Sequence, residues 1–212
     1  MNFLGVVGVE EELQDNTKDT VKAIKQAGIK LWIFTGDCVE NSVSVALASS
    51  IKSEYQDLYF ITNKNDKTDI SYRISQYQRL ADKAVLVIDG MTLGVILESQ
   101  EIILQFFEVA RTAQNFVACR CTLQYKTELV RLLKYYSGKF VAAVGDGAND
   151  IGMIHEADIC IGVCSGSLLA IEHTNSSQAS LYSDFSIRKF STLKKLVLWY
   201  GRQSYRNSTL IS

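Results

Sequence analysis

The 212-residue chain contains no proline, against an average usage of about 5%. That absence removes the ordinary stops for helices and turns, so boundaries must be read from glycine, Asn/Asp clusters and breaks in periodicity. An excess of charge is missing too. With 22 basic and 23 acidic residues and a net charge of −1, the composition offers nothing to a polyanion, and no nucleic acid is expected as a partner. No uninterrupted apolar run approaches the ~18 residues of a membrane span. The opening MNFLGVVGVEEEL has too short an apolar stretch and no basic lead-in for a signal peptide. Histidine is nearly absent, with His155 and His173 alone, and neither is spaced as a ligand to the C-x-C pair Cys119 and Cys121. Five cysteines, an odd number set mostly in apolar runs, read as free thiols in a reducing compartment.

What remains is an ordinary globular composition, 47% hydrophobic and 21% charged, sufficient for one sizeable core. Apolar runs of strand character alternate with helical periodicity. Phe3–Val9 reads as a strand. Asn16 marks an N-cap for a helix that presents Val21, Ile24 and Ala27 and stops at Gly28. Strand IKLWIF (29–34) is followed by a helix through Val43, Ala46, Leu47 and Ile51. After a polar stretch from Lys52 to Lys83 with no clear pattern come strand AVLVI (84–88), a helix through Ile102 to Ala110 and strand FVAC (116–119). A helix over Leu123–Tyr136, strand FVAAV (140–144), a short helix from Asp150 and strand ICIGV (159–163) complete the series. This alternation predicts an α/β fold with a mainly parallel sheet, whose post-strand loops gather at one edge and bind the ligand. The C-terminal KFSTLKKLVLWYGRQSYRNSTLIS differs, reading as a basic amphipathic helix.

Those loops hold the residue types that phosphoryl chemistry needs. Thr35-Gly36-Asp37 places a hydroxyl and backbone N–H groups at a helix entrance, where phosphate oxygens bind. Lys126, six residues beyond Arg120 and in the first turn of a helix, supplies a point charge. VGDGANDIGMI carries the densest signal: Asp146 and Asp150 can coordinate Mg²⁺, Asn149 can donate to a phosphate oxygen, and Gly145 and Gly147 allow a sharp turn. The bland readings are a polar turn with Asp37 capping the next helix and a merely solvated Lys126.

T-G-D, an isolated lysine and G-D-G-A-N-D in this order resemble the later motifs of haloacid-dehalogenase-like hydrolases, and specifically the phosphorylation domain of P-type ATPases. The phospholipid-transporting (flippase, type IV) branch is most similar, through LQDNTKDTVKAIKQAGIKLWIFTGD, LVIDGMTL, CRCTLQYK, VGDGANDIGMI and SDFSIRKFSTLKKLVLWYGRQSYR. The resemblance implies a Rossmann-like three-layer domain over residues 1–190 and, over 191–212, a stalk helix leading towards a membrane span. It further implies phosphate-site roles for Thr35, Gly36, Lys126 and Asn149, a Mg²⁺ ligand in Asp146 with Asp150 in support, and nucleotide contacts from Asp37 and Arg120. In the family the γ-phosphoryl group of ATP passes to an aspartate and is then hydrolysed, coupled to movement of a lipid across the bilayer. Implied partners are therefore a phospholipid, the nucleotide-binding and actuator domains and membrane helices of a parent pump, and an accessory membrane subunit. The implied setting is the cytoplasmic side of an integral membrane protein.

The family's nucleophile opens a D-K-T-G-T string that does not occur here. In the family its strand lies far upstream and sits mid-sheet, so the resemblance implies a sheet lacking that strand, with a slot that either closes or takes a strand from elsewhere, and a chain inactive alone. Asp89 in AVLVIDGMTL mimics the D-x-D-x-T motif of free-standing phosphatases, but Met91 stands where the second acid must protonate the leaving group. It reads as a strand-to-loop turn. Leu123 replaces a family proline, and residues 164–180 depart from the family's glycine-rich segment. The rival readings are a regulatory pseudo-pump module fused to another enzyme and a stand-alone phosphatase.

Overall fold

The computed structural model describes residues 4–5, 12–81, 83–164 and 178–211, with side chains to 209. Of the strand expected over Phe3–Val9 only residues 4–5 are described, and of the divergent stretch 164–180 residues 165–177 lie outside the described residues.

Two parallel sheets form the centre of the molecule. The first, in the order β1-β4-β3-β2, comprises β1 (Leu31–Phe34), β2 (Asp57–Ile61), β3 (Ala84–Asp89) and β4 (Asn115–Cys119). The second runs β5 (Ala142–Gly145), β6 (Ile159–Val163), β7 (Phe185–Ile187). Every pairing is parallel. The expected α/β class is what is found. Helix α1 (Thr17–Gln26) precedes β1, and helices α2 (Val39–Ala48), α3 (Lys67–Gln78), α4 (Gly90–Leu97), α5 (Gln100–Ala110), α6 (Leu123–Ser137) and α7 (Ile151–Glu156) connect the strands.

Strand alternation sorts the core into two layers. From β3 and β4, Leu86, Ile88, Phe116 and Ala118 face α3, α4 and α5, burying Ile74, Leu93, Ile96, Phe106 and Phe107. Val85, Val87, Val117 and Cys119 face the other way, against Val21 of α1 and Ala46 of α2. Strands β3 and β4 are buried at every position, which is why they read as continuous apolar runs.

The two sheets share their covering helices. Helix α1 sends Val21 to the first sheet and Ile24 to the second, and α6 does the same with Leu129 and Val130. Among the described residues β1 pairs only with β4, and β5 only with β6. The facing edges are bridged by side chains: Leu31 and Val144 pack into one cluster, Phe34 and Ala143 into another. The sheet has not closed across this junction, since no backbone ladder joins β1 to β5 among the described residues.

Four elements were not legible from periodicity. Strand β2 has one buried position in five, and α3 follows it through the polar stretch. Helix α4 follows β3 without a break, and β7 is a three-residue edge. Asn16 occupies the N-cap position of α1, but in the left-handed region (φ 61°) and without a side-chain cap. Helix α8 (Gln178–Leu181) precedes the segment expected as one helix from Lys189, over which α9 (Thr192–Lys195), a π turn (Leu196–Tyr200) and α10 (Gly201–Ile211) follow one another directly.

Candidate active site

Parallel strands direct the loops that follow β1, β4 and β5 to one edge, and hydrogen bonds fasten these loops together. The first two continue the β1–β4 ladder past its end: Cys121 N–H donates to the Thr35 carbonyl (2.9 Å) and Arg120 N–H to that of Asp37 (2.9 Å). Arg120 does so in the left-handed region, φ 51°, an uncommon conformation for a side-chain-bearing residue. Gly90 runs beneath it, so close that a Cβ there would fall 2.1 Å from the Arg120 carbonyl oxygen.

Thr35, Gly36 and Asp37 form a small turn of their own. The Thr35 hydroxyl donates to Asp37 Oδ2 (2.8 Å) and accepts from the Asp37 N–H (3.1 Å). Asp37 therefore does not cap α2. Cys38 holds the N-cap position and makes no side-chain capping bond, leaving the N-terminus of α2 without that competitor for an anion. Gly36 has neither a positive φ nor a close neighbour, since a Cβ would meet the Cys121 carbonyl only at 3.8 Å. Nothing in the packing requires a glycine there.

The third loop is joined by a buried ion pair. Thr122 caps α6 by accepting from Tyr125 N–H (3.2 Å), which sets Lys126 in the helix's first turn. Its ammonium lies 2.8 Å from Asp150 Oδ1, with the residues 5% and 7% exposed. Asp150 ends the 3₁₀ turn Ala148–Asp150 that opens α7. The expected sharp turn at the glycines is not the reason for them. Neither Gly145 nor Gly147 has a positive φ. A Cβ on Gly145 would come within 2.5 Å of Asp150 Cβ, and one on Gly147 within 2.1 Å of Asn149 Oδ1. These glycines let the polar side chains fold back over the strand end. Gly152 plays the same part against Thr127 Oγ1 (2.4 Å), a contact between α7 and α6 that the motif did not reveal.

Asp146 and Asn149 are exposed, and their side chains make no hydrogen bond or ion pair among the described residues. Asp146 is thus a hard oxygen donor open to solvent beside a carboxylate already held by lysine. Among the described residues no group of three or more His, Cys, Asp or Glu could hold a metal. Mg²⁺ does not need one: it is bound by one or two carboxylates together with water and substrate phosphates. The donor set fits Mg²⁺ and not zinc, and Cys119 and Cys121 are free thiols that burial pushes up to about 11 and about 12.

Asp89 lies at the same edge but is 1% exposed, with both oxygens occupied. Oδ2 accepts from Asn63 N–H (3.0 Å) and Oδ1 from Thr92 N–H (3.1 Å), so it caps α4 and ties down the loop after β2. D-G-M-T was a capping signal, aspartate followed three residues later by the N–H it accepts. A buried, doubly engaged carboxylate is poorly placed to attack phosphorus.

Known proteins resemble the chain along its whole length. Over 212 residues the chain is 35% identical to phospholipid-transporting ATPase NEO1 of Saccharomyces cerevisiae, covering 100% of this chain and 18% of that protein. It is 35% identical over 211 residues to probable phospholipid-transporting ATPase IIB of Homo sapiens (100% and 17%). The same identity over 213 residues holds for probable phospholipid-transporting ATPase tat-5 of Caenorhabditis elegans (100% and 19%). The chain belongs to the phospholipid-transporting P-type ATPase family. It spans about a fifth of the length of these relatives. No family model matches it. The relatives are ATPases by name, which does not favour a fused regulatory module, and the geometry of Asp89 does not favour a stand-alone phosphatase.

Proposed function

We propose that this chain is the later part of the phosphorylation domain of a phospholipid-transporting ATPase, supplying the phosphate- and Mg²⁺-binding half of its active site from residues 1–190. The buried Lys126–Asp150 pair carries this reading, because it locks the loops after β4 and β5 together beside the Thr35–Asp37 turn. Thr35, Gly36, Lys126 and Asn149 receive the phosphoryl oxygens, and Gly36 supports this by being a glycine the fold itself does not demand. Asp146 holds Mg²⁺, with Asp150 keeping the lysine in place. Mg²⁺ when bound neutralises phosphate charge. Asp37 and Arg120, exposed at the rim, face the nucleotide.

Among the described residues β1 and β5 each pair on one side only, which supports one further element of the reading: an extended strand carrying the D-K-T-G-T aspartate would pair at these edges. The parent pump would provide it, along with the nucleotide-binding and actuator domains, the membrane helices, the lipid specificity and an accessory membrane subunit. Residues 191–212 would form the stalk on the cytoplasmic side. No described helix is long and apolar enough to cross a membrane.

Two measurements test the proposal. Incubated alone with Mg²⁺ and γ-labelled ATP, the chain should acquire no acid-stable, hydroxylamine-sensitive label; such a label would refute the assignment of the nucleophile elsewhere. Mg²⁺ with orthovanadate should raise the thermal midpoint of the wild type but not of Asp146→Asn, and an equal rise in both would remove Asp146 from the metal site.

A further inference from the structure

We propose that Gly90 is a positioning residue for Arg120: with no side chain of its own, it is the backstop that holds the Arg120 peptide in the left-handed region and so turns the guanidinium toward the Thr35–Asp37 loop. The I-D-G-M-T string supplies no nucleophile, since its aspartate is the buried cap of α4. That cap does not explain the glycine after it. Gly90 has no positive φ, so close approach, and not backbone freedom, is what requires it. A Cβ there would lie 2.1 Å from the Arg120 carbonyl oxygen and 3.0 Å from its carbonyl carbon. Both are backbone atoms, which cannot swing aside as the end of a side chain can.

The left-handed residue breaks the side-chain alternation at the end of β4. Ala118 packs in the layer of α3, α4 and α5, and Cys119 in the opposite layer with α1 and α2. Regular alternation would return Arg120 to the first layer and send Cys121 to the second. Instead Arg120 is exposed, and Cys121 packs in the first layer. One residue is inserted into the pattern, as in a β-bulge, and its side chain is lifted clear of both layers. The new direction leads to the phosphate edge. Arg120 N–H donates to the Asp37 carbonyl and Cys121 N–H to that of Thr35, each at 2.9 Å. Glu40, in the first turn of α2, has its carboxyl held below the usual range by its own N–H first, by the Cys38 thiol next and, last, by the Arg120 guanidinium, whose charge therefore lies near the start of α2.

Hydrogen bonds fix the backstop itself. Asp89 Oδ1 accepts from Thr92 N–H (3.1 Å) and Oδ2 from Asn63 N–H (3.0 Å), while Thr92 Oγ1 accepts from Lys64 N–H (3.1 Å). Asp89 also ends the β3–β4 register, opposite Cys119, so Gly90 and Arg120 leave the ladder side by side. A residue with a side chain stays in a sparsely populated backbone region only where its surroundings over-determine it. Here the two bonds to the Thr35–Asp37 loop hold Arg120 on one side, and Gly90 blocks its retreat on the other. The consequence for nucleotide binding rests on the role proposed above for Arg120; the conformational part does not.

The test is amide hydrogen exchange of the 212-residue chain, followed by NMR. Gly90→Ala should speed exchange at the Arg120 and Cys121 N–H groups by about tenfold more than across buried β3, because their bonds to the Asp37 and Thr35 carbonyls open locally. Asp89→Asn keeps Gly90 but loses one of the two acceptors behind it. It should give the same pattern to a smaller degree, and it decides the matter where Gly90→Ala does not fold. Uniform acceleration along the chain would overturn the proposal, since Gly90 would then serve packing alone; unchanged exchange at both amides would overturn it as well. A titration with MgATP gives the functional arm. Gly90→Ala should weaken binding as much as Arg120→Ala does, and the double variant should fall within about twofold of either single one. Losses that simply add would overturn the positioning role. Should Arg120→Ala leave MgATP affinity unchanged, Arg120 loses its nucleotide contact, and the exchange result still decides Gly90.

Discussion

Replacing Lys126 with methionine keeps the length of the stem and removes the charge. Asp150 would then remain 7% exposed, with its carboxylate stripped of the ammonium now 2.8 Å away. A buried pair broken on one side costs about 3–5 kcal/mol, because the surviving charge has been taken out of water with nothing to offset that loss. For a domain of this size each kcal/mol lowers the thermal midpoint by roughly 2–4 °C, so Lys126→Met should fall by roughly 6–20 °C. Asp150→Asn leaves an oxygen for the lysine and should lose less, about 1–3 kcal/mol. The double variant Lys126→Met/Asp150→Leu removes both charges and should recover most of the loss, since a buried pair replaced by apolar groups is often neutral. The assay is urea unfolding followed by far-ultraviolet circular dichroism at pH 7, with the slope compared among variants to confirm that the cooperative unit is unchanged. Single variants within about 1 kcal/mol of wild type, or losses that simply add in the double variant, would refute the reasoning. The pair would then be a solvated surface contact.

Further outcomes follow from the same geometry. Gly145→Ala places a methyl group 2.5 Å from Asp150 Cβ, so it should cost about 1–3 kcal/mol and reduce the coupling between Lys126 and Asp150 in the cycle above; an intact coupling energy would show that Gly145 does not position Asp150. Asp89→Asn should destabilise by about 1–2 kcal/mol through its two backbone bonds. It should have no phosphatase activity to lose, and p-nitrophenyl phosphate turnover abolished by this change would contradict that. Acid stability should depend on Asp158, held below its ordinary 3.8 by the Val141 N–H and then by Lys134. A carboxylate depressed in the folded state stabilises it above the unfolded value, and that contribution disappears as pH falls through the folded one. The wild type should therefore lose stability as pH drops below about 4, and Asp158→Asn should flatten that part of the curve; an unchanged acid limb would assign it to other groups.

Much of the architecture was legible because burial writes directly into sequence. Strands β3 and β4, covered on both faces, appear as the runs AVLVID and NFVAC. Helix α5 shows its face through Ile102, Ile103, Phe106 and Phe107. Strand β2 was hidden for the converse reason, since at an edge it buries only Ile61 and Phe60 is 42% exposed. The candidate residues were found through their types and order: hydroxyl, lysine, carboxylates and amide after apolar strands. The sequence could not show that Asp150 is tied to Lys126 while Asp146 stands open, because two carboxylates four residues apart look alike until the turn between them is built.

By itself, then, the sequence determined the class of fold and the family to which the motifs belong. Local pattern and residue chemistry suffice for these. Only the tertiary structure decided what the glycines are for, that Asp89 is a buried cap, and that among the described residues β1 and β5 each pair on one side only, under shared helices. Those outcomes depend on residues far apart in the chain, such as Gly90 beneath the Arg120 carbonyl. The distance between such groups is set by packing, which no single stretch of sequence records.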